Sequence, residues 1–132
     1  MVKFELKDPA SLCIQSLNFL EEACKKSQLS ILTVANCLQV AREGKAFIYE
    51  IYDEQLIGCM TLSIRESGTH RYLELPLLGG RNIVLWRDDL VKFLFEQAKK
   101  HNCNKFTMIG RKGFERLFPE MRLLCCVYGR DL

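Results

Sequence analysis

No two of the chain's seven cysteines stand in a C-x-x-C spacing. Thiolate zinc sites ordinarily pair their ligands at short spacing, so no structural zinc site is predicted. The cysteine count is odd, and Cys59 (in LIGCMTL) and Cys125 and Cys126 (in LLCCVY) lie inside apolar patterns. They read as reduced, partly buried thiols of a cytosolic protein rather than as a disulfide framework. No apolar run approaches the roughly 20 residues that a membrane span requires. No signal peptide is expected, because Met1-Val2-Lys3-Phe4-Glu5 turns polar at once. Only two histidines occur, His70 and His101, and neither has a carboxylate at a spacing that suggests catalysis. Like charges form no block, and the net charge of +3 neither demands nor excludes nucleic acid. No linker, repeat or low-complexity segment divides the chain.

What is present is ordinary for a globular domain: 132 residues, 48% hydrophobic and 27% charged, enough for one core. Val2, Phe4 and Leu6 alternate with Lys3, Glu5 and Lys7, which predicts a half-buried strand. Asp8-Pro9 marks a helix start, with Asp8 as N-cap and Pro9 at the first helical position. Leu12, Ile14, Leu17, Phe19, Leu20, Ala23 and Cys24 continue at near-helical spacing, and Lys25-Lys26-Ser27 closes the helix. Ser30 reads as the cap of a second helix with Ile31, Leu32, Val34, Ala35, Leu38, Val40 and Ala41 on its apolar side and Gly44 at its exit. Two strands follow, Ala46 to Tyr52 and Leu56 to Ile64, joined by Asp53-Glu54-Gln55 as an antiparallel hairpin. A fourth strand runs from Arg71 to Leu78 and should bend or lose pairing at Pro76.

Trp86 to His101 predicts a helix with Asp88 and Asp89 in its first turn and Lys99, Lys100 and His101 in its last, matching its dipole. Leu90, Phe93, Leu94, Gln97 and Ala98 mark its packed face. Lys105 to Gly110 reads as a short strand, Lys112 to Phe118 as a short helix stopped by Pro119, and Arg122 to Tyr128 as a final strand. The order is β-α-α-β-β-β-α-β-α-β, an α+β domain with a mixed, mostly antiparallel sheet of about six strands.

This order resembles the acyltransferase fold of the GNAT superfamily across nearly the whole chain. The two early helices, the central antiparallel strands, the long helix after the fourth strand and the β-α-β close all correspond. The C-terminal stretch GRKGFERLFPEMRLLCCVYGRDL is similar to small GNAT-like proteins encoded by tailed bacteriophages. Gly110, Arg111, Gly113, Phe114, Arg116 and Pro119 fit their G-R-x-G-aromatic-x-R-x-x-P segment.

The resemblance implies acetyl-CoA, held by a Q/R-x-x-G-x-G/A loop whose backbone N–H groups meet the pyrophosphate at a helix start. The corresponding stretch here is LLGGRNIVL. Gly79 and Gly80 come about six residues before the predicted helix, and Arg81 follows them instead of preceding glycines at the required spacing. Ile83, Val84 and Leu85 are bulky for a close backbone cradle, and Asp88 and Asp89 would repel a diphosphate. Glu74 is the carboxylate placed like a GNAT base. The helix where such enzymes often carry an acidic Tyr offers Phe114 and Phe118, and Tyr128 on the last strand reads as a packing residue.

Three functional readings follow. The first is a degenerate GNAT-like protein, phage-encoded, that serves in the host cytoplasm or the virion as a structural or protein-binding component, with no cofactor and with phage or virion proteins as partners. The alternative is an acetyl-CoA-dependent N-acyltransferase with Glu74 as base and Gly79, Gly80 and Arg81 at the pyrophosphate. The third is a nucleic-acid-associated protein acting through Arg111, Lys112, Arg116, Arg122 and Arg130, a segment that reads more readily as a solvated face. Trp86 is either an interface anchor or the residue that staples the long helix to the sheet.

Overall fold

The structure is a computed structural model that describes residues 1–27, 33–108 and 114–119. Five strands form one sheet in the order of the chain: β1 (Lys3–Lys7), β2 (Ala46–Asp53), β3 (Gln55–Ser67), β4 (His70–Gly80) and β5 (Lys105–Met108). Successive pairs from β1 to β4 are antiparallel, and β4 pairs with β5 in parallel. The helices are α1 (Ile14–Ser27), α2 (Val34–Arg42), α3 (Ile83–Lys100) and the short α4 (Phe114–Leu117). The α+β, mixed-sheet expectation holds with five described strands. The expected strand from Arg122 to Tyr128 lies outside the described residues.

The sheet is covered on both faces. One core joins Tyr49, Ile51, Met60, Leu62, Leu73, Leu75 and Leu78 to Trp86, Leu90 and Leu94 of α3 and to Phe118. The other joins Ile48, Cys59 and Leu77 to Phe19 and Leu20 of α1 and Val34 and Cys37 of α2. Each fully buried large side chain contributes about 1.5–3 kcal/mol. The predicted face of α3 is borne out: Leu90 and Leu94 are buried, Phe93 stacks on Phe4, and Gln97 accepts a 3.4 Å hydrogen bond from Tyr49.

Several boundaries move, each for a local reason. Asp8 does cap, accepting from the Ala10 N–H at 2.8 Å, but it caps only a single 3-10 turn, Pro9–Ser11. Leu12 is extended (ψ 136°), so α1 begins at Ile14, which is left exposed at its open end. Thr33 caps α2 by accepting from the Asn36 N–H at 3.1 Å; Ser30 lies outside the described residues. On the packed side of α2 the buried residues are Val34 and Cys37, while Ala35 and Val40 face out. At its exit the Gly44 N–H bonds the Ala41 carbonyl and the Lys45 N–H bonds the Val40 carbonyl, with Gly44 at φ +78°. This paired 5→2 and 6→1 pattern is why glycine is needed there. Leu6, expected on the inward side of β1, is 61% exposed because β1 is an edge strand.

The start of α3 differs most from expectation. The helix opens at Ile83, not Trp86, after an N-cap Asn82 in the left-handed region (φ 52°) that makes no side-chain cap bond. Trp86 itself is non-helical (φ −123°, ψ 19°) and kinks the helix after its first turn. Asp88 and Asp89 therefore fall beyond the first turn, which contains no acidic residue.

Candidate functional site

The parallel ladder between β4 and β5 pairs Tyr72 with Lys105, Leu73 with Phe106, Glu74 with Thr107 and Leu75 with Met108. It stops at Pro76, which has no N–H to give. The β3–β4 register shifts at the same place, between Thr61 opposite Leu77 and Ser63 opposite Glu74, so β4 bulges around Leu75 and Pro76. Downstream, Leu77 to Gly80 pair with β3 alone among the described residues, and their outer backbone edge is left open. The interruption expected at Pro76 is present, and it creates a gap beside β4.

Polar side chains converge at this gap. Directly paired residues share a face, so the register sets Ser63, Glu74 and Thr107 in one row across β3, β4 and β5. Arg65 donates from Nε to Glu74 Oε1 at 3.1 Å. The other carboxylate oxygen makes no protein hydrogen bond among the described residues. Among the described residues Thr61 Oγ1 and Thr107 Oγ1 are buried and make no hydrogen bond of normal geometry, although Thr61 lies close to the Cys37 thiol. A buried hydroxyl without a partner costs about 1–3 kcal/mol, and two on the face of one carboxylate mark a place where a polar ligand would complete the bonding. Nearby, burial pushes the Cys37 thiol up to about 11, with Cys24 and Glu74 adding to it and Thr61 partly offsetting it. Cys37 thus stays a thiol at neutral pH and is not a poised nucleophile.

The sequence-predicted residues fall into two groups. Glu74 stands in this row. Gly79 and Gly80 are not a loop: they end strand β4, opposite Cys59 and Gly58. A Cβ on Gly79 would collide with the backbone of Phe19, and one on Gly80 would lie 2.9 Å from both the Ile57 carbonyl and the Trp86 ring. Both glycines therefore serve close packing, of α1 on β4 and of Trp86 on the strand end. The Arg81 N–H is spent on the Ile57 carbonyl at 2.8 Å, while its guanidinium lies 5.7 Å from the Phe19 ring centroid and its side chain is exposed beside the start of α3. Trp86 is buried, and its indole N–H donates to the Arg81 carbonyl at 2.8 Å. That contact fastens the helix start to the end of β4. Arg116 is exposed on α4; Arg111 and Lys112 lie outside the described residues, as do Arg122, Tyr128 and Arg130.

A second polar group escaped the sequence reading. Glu50 is 3% exposed on β2. It accepts from Ser16 Oγ at 2.5 Å, from the Tyr52 hydroxyl at 2.7 Å and from Cys13 at 3.7 Å, with Lys7 Nζ 3.7 Å away. Burial works to raise its pKa, but the Ser16 and Tyr52 bonds, the Lys7 charge and Cys13 outweigh burial and lower it. The same carboxylate pushes Tyr52 up to about 12. With Ser16, Tyr52, Cys13 and Lys7 all turned toward it, Glu50 ties α1 to the sheet. The signal was a lone carboxylate inside the apolar run AFIYEIY, on the face of Ile48 and Tyr52.

Among the described residues no helix is long and apolar enough to cross a membrane, and no cluster could hold a metal ion. No family model and no curated protein sequence matches the chain. Solved structures do. An aminoglycoside acetyltransferase from an uncultured soil metagenomic sample superposes with a TM-score of 0.67 at 12% identity, covering 99% of this chain and 96% of its own. A predicted acetyltransferase with acetyl-CoA from Clostridium acetobutylicum gives 0.63 at 10% identity, over 100% and 96%. A ribosomal-protein-alanine N-acetyltransferase from Brucella melitensis biovar Abortus 2308 gives 0.62 at 9% identity, over 99% and 97%. From its first strand to its last, the chain has the fold of the GNAT acetyltransferases.

Proposed function

We propose that the protein is an acyl-CoA-dependent N-acyltransferase with Glu74 as its base. The observation that carries this reading is the row Ser63–Glu74–Thr107 at the point where β4 and β5 part, with the buried Thr107 hydroxyl in it, and Thr61 further along the same face, lacking hydrogen bonds among the described residues. It supports the acyltransferase reading over that of a scaffold without chemistry. The carboxylates expected to repel a diphosphate lie beyond the first turn of α3, and that turn has no acid.

The residues present fit the group in part. The open edge of β4 from Leu77 to Gly80 offers backbone donors and acceptors to an extended amide-bearing arm. The start of α3 offers the unpaired first N–H groups of a helix, with the exposed Arg81 side chain beside them. When bound, an acyl-CoA supplies an acyl group activated as a thioester. Glu74 takes the proton from the acceptor's ammonium at its free carboxylate oxygen, leaving a nucleophilic amine. Arg65 holds the carboxylate in place through its other oxygen. The Thr61 and Thr107 hydroxyls donate to the polar groups of whatever occupies the gap.

One observation favours a second reading. Val84 and Trp86 stand where glycines would make a close cradle, and the Trp86 indole occupies the space over Gly80. In that reading the domain is a non-catalytic, protein-binding relative of such enzymes, with phage or virion proteins as its partners. Thermal shift and calorimetry with acetyl-CoA separate the two. The enzyme reading expects stabilisation by acetyl-CoA that Arg81→Ala weakens, and acetylation of a panel of amines that Glu74→Gln abolishes. A flat response at saturating acetyl-CoA together with no transfer overturns it. Co-purification with virion proteins would then support the second.

A further inference from the structure

The outward face of α3 has no partner in the described chain. Val84 is 74% exposed, Leu85 83% and Phe95 57%. Asp88, Val91, Lys92, Phe95, Glu96 and Lys99 line a shallow groove of about 450 Å³ along it. Their spacing of three and four residues puts them on one side of the helix. In this groove Phe95 is exposed and Val91 half-buried, its inner side packed on the core, while Val84 and Leu85 stand before the kink at Trp86.

The charges on this stripe follow an order. Asp88 stands at one end and Lys99 at the other, at near-equal distances from the Val91–Phe95 centre. Among the described residues no ion pair engages Lys92, Glu96 or Lys99, and Asp88 is held only by its exposed neighbour contact with Arg87 at 2.7 Å. Laid against a second copy of itself in parallel, the stripe would set like charge beside like. Laid antiparallel about a two-fold axis near its centre, it sets Asp88 of each copy beside Lys99 of the other. Lys92 then comes within a turn of Glu96 across the axis, and Phe95 packs over Val91 and the Lys92 stem. That is the self-complementarity a two-fold homodimer requires.

We infer that the protein forms a symmetric dimer through the antiparallel pairing of two α3 helices, centred on Val91 and Phe95. The acyl-transfer row lies on the opposite face of the sheet, so the dimer leaves it open. This inference does not depend on the activity.

The test is sedimentation equilibrium of the full chain over a wide concentration range, with circular dichroism to verify that each variant is folded. The wild type should reach dimer mass and stop there. Phe95→Asp should be monomeric. Asp88→Lys and Lys99→Asp should each weaken association about tenfold or more, since like charges then oppose across the interface. The double variant Asp88→Lys/Lys99→Asp should recover it. A wild type that stays monomeric throughout, its groove serving another protein or none, overturns the inference. So does association beyond a dimer, or a double variant no tighter than the single ones.

Discussion

The two faces of the sheet differ in kind. Against α3 the buried residues are all apolar or aromatic. Against α1 and α2 lie the four buried polar residues among those described, Ser16, Glu50, Thr61 and Ser63, together with Glu74 and the buried thiols Cys37 and Cys59. Desolvating a polar group is costly unless it is bonded, so a face that carries several is maintained for something other than stability. The α3 face holds the fold together. The α1/α2 face holds one polar group that is fully bonded, around Glu50, and one that is not, around Glu74.

Substitutions can break this contrast. The largest effect expected is on the incompletely bonded group: Glu74→Gln should lower amine acetylation about 10²–10⁴-fold with little change in melting temperature. A comparable loss of stability would mean that Glu74 belongs with Glu50 as structure. On the apolar face, Leu90→Ala should cost about 3 kcal/mol in urea unfolding, with acyl transfer per folded molecule unchanged. Glu50→Ala should cost about 2–3 kcal/mol at neutral pH, by stranding Ser16, Tyr52 and Lys7. The sign of its pH dependence is set by a lowered folded-state pKa. Its stabilisation is complete above the unfolded carboxylate's pKa, about 4.3, and is lost as pH falls through the lower folded value. Unfolding midpoints measured from neutral to acidic pH should therefore drop more steeply in the wild type than in Glu50→Gln. Gly79→Ala should also destabilise, by about 1–3 kcal/mol, because it forces α1 off β4; acetyl-CoA binding that survives it would show that Gly79 packs and does not cradle.

Elements carried by local signals were legible. The hairpin needed only two runs of strand formers around Asp53-Glu54-Gln55, and Glu54 does take a positive φ of 63° there. Gly44 announced the end of α2, and the spacing of Leu90 and Leu94 announced the packed face of α3. The start of α3 was misplaced because Trp86 resembles an opening anchor, whereas the chain had already turned helical at Ile83 and Trp86 breaks that turn. In the candidate site, Glu74 was singled out by the resemblance, as the carboxylate on the fourth strand. Thr61 and Thr107 were not, because each sits in a run that reads as an ordinary strand, and their lack of partners depends on which strands meet. Glu50 was missed for the same reason: its main donor, Ser16, is 34 positions away. Gly79 looked like ligand space because nothing local shows that Phe19 of α1 lies against it.

The bulge at Leu75 and Pro76 has one more consequence. It works as a phase shift in the strand. Before it, the even position 74 looks toward α1 and α2 while 73 and 75 look toward α3; after it, the odd positions 77 and 79 look toward α1. β4 is thus two short strands spliced out of step. One is in phase with the carboxylate and its row, the other with the glycine that admits Phe19. Removing the one extra residue at the splice would leave a strand of unbroken alternation, with the carboxylate and the packing glycine still facing α1, but it would erase the bulge that separates the two halves.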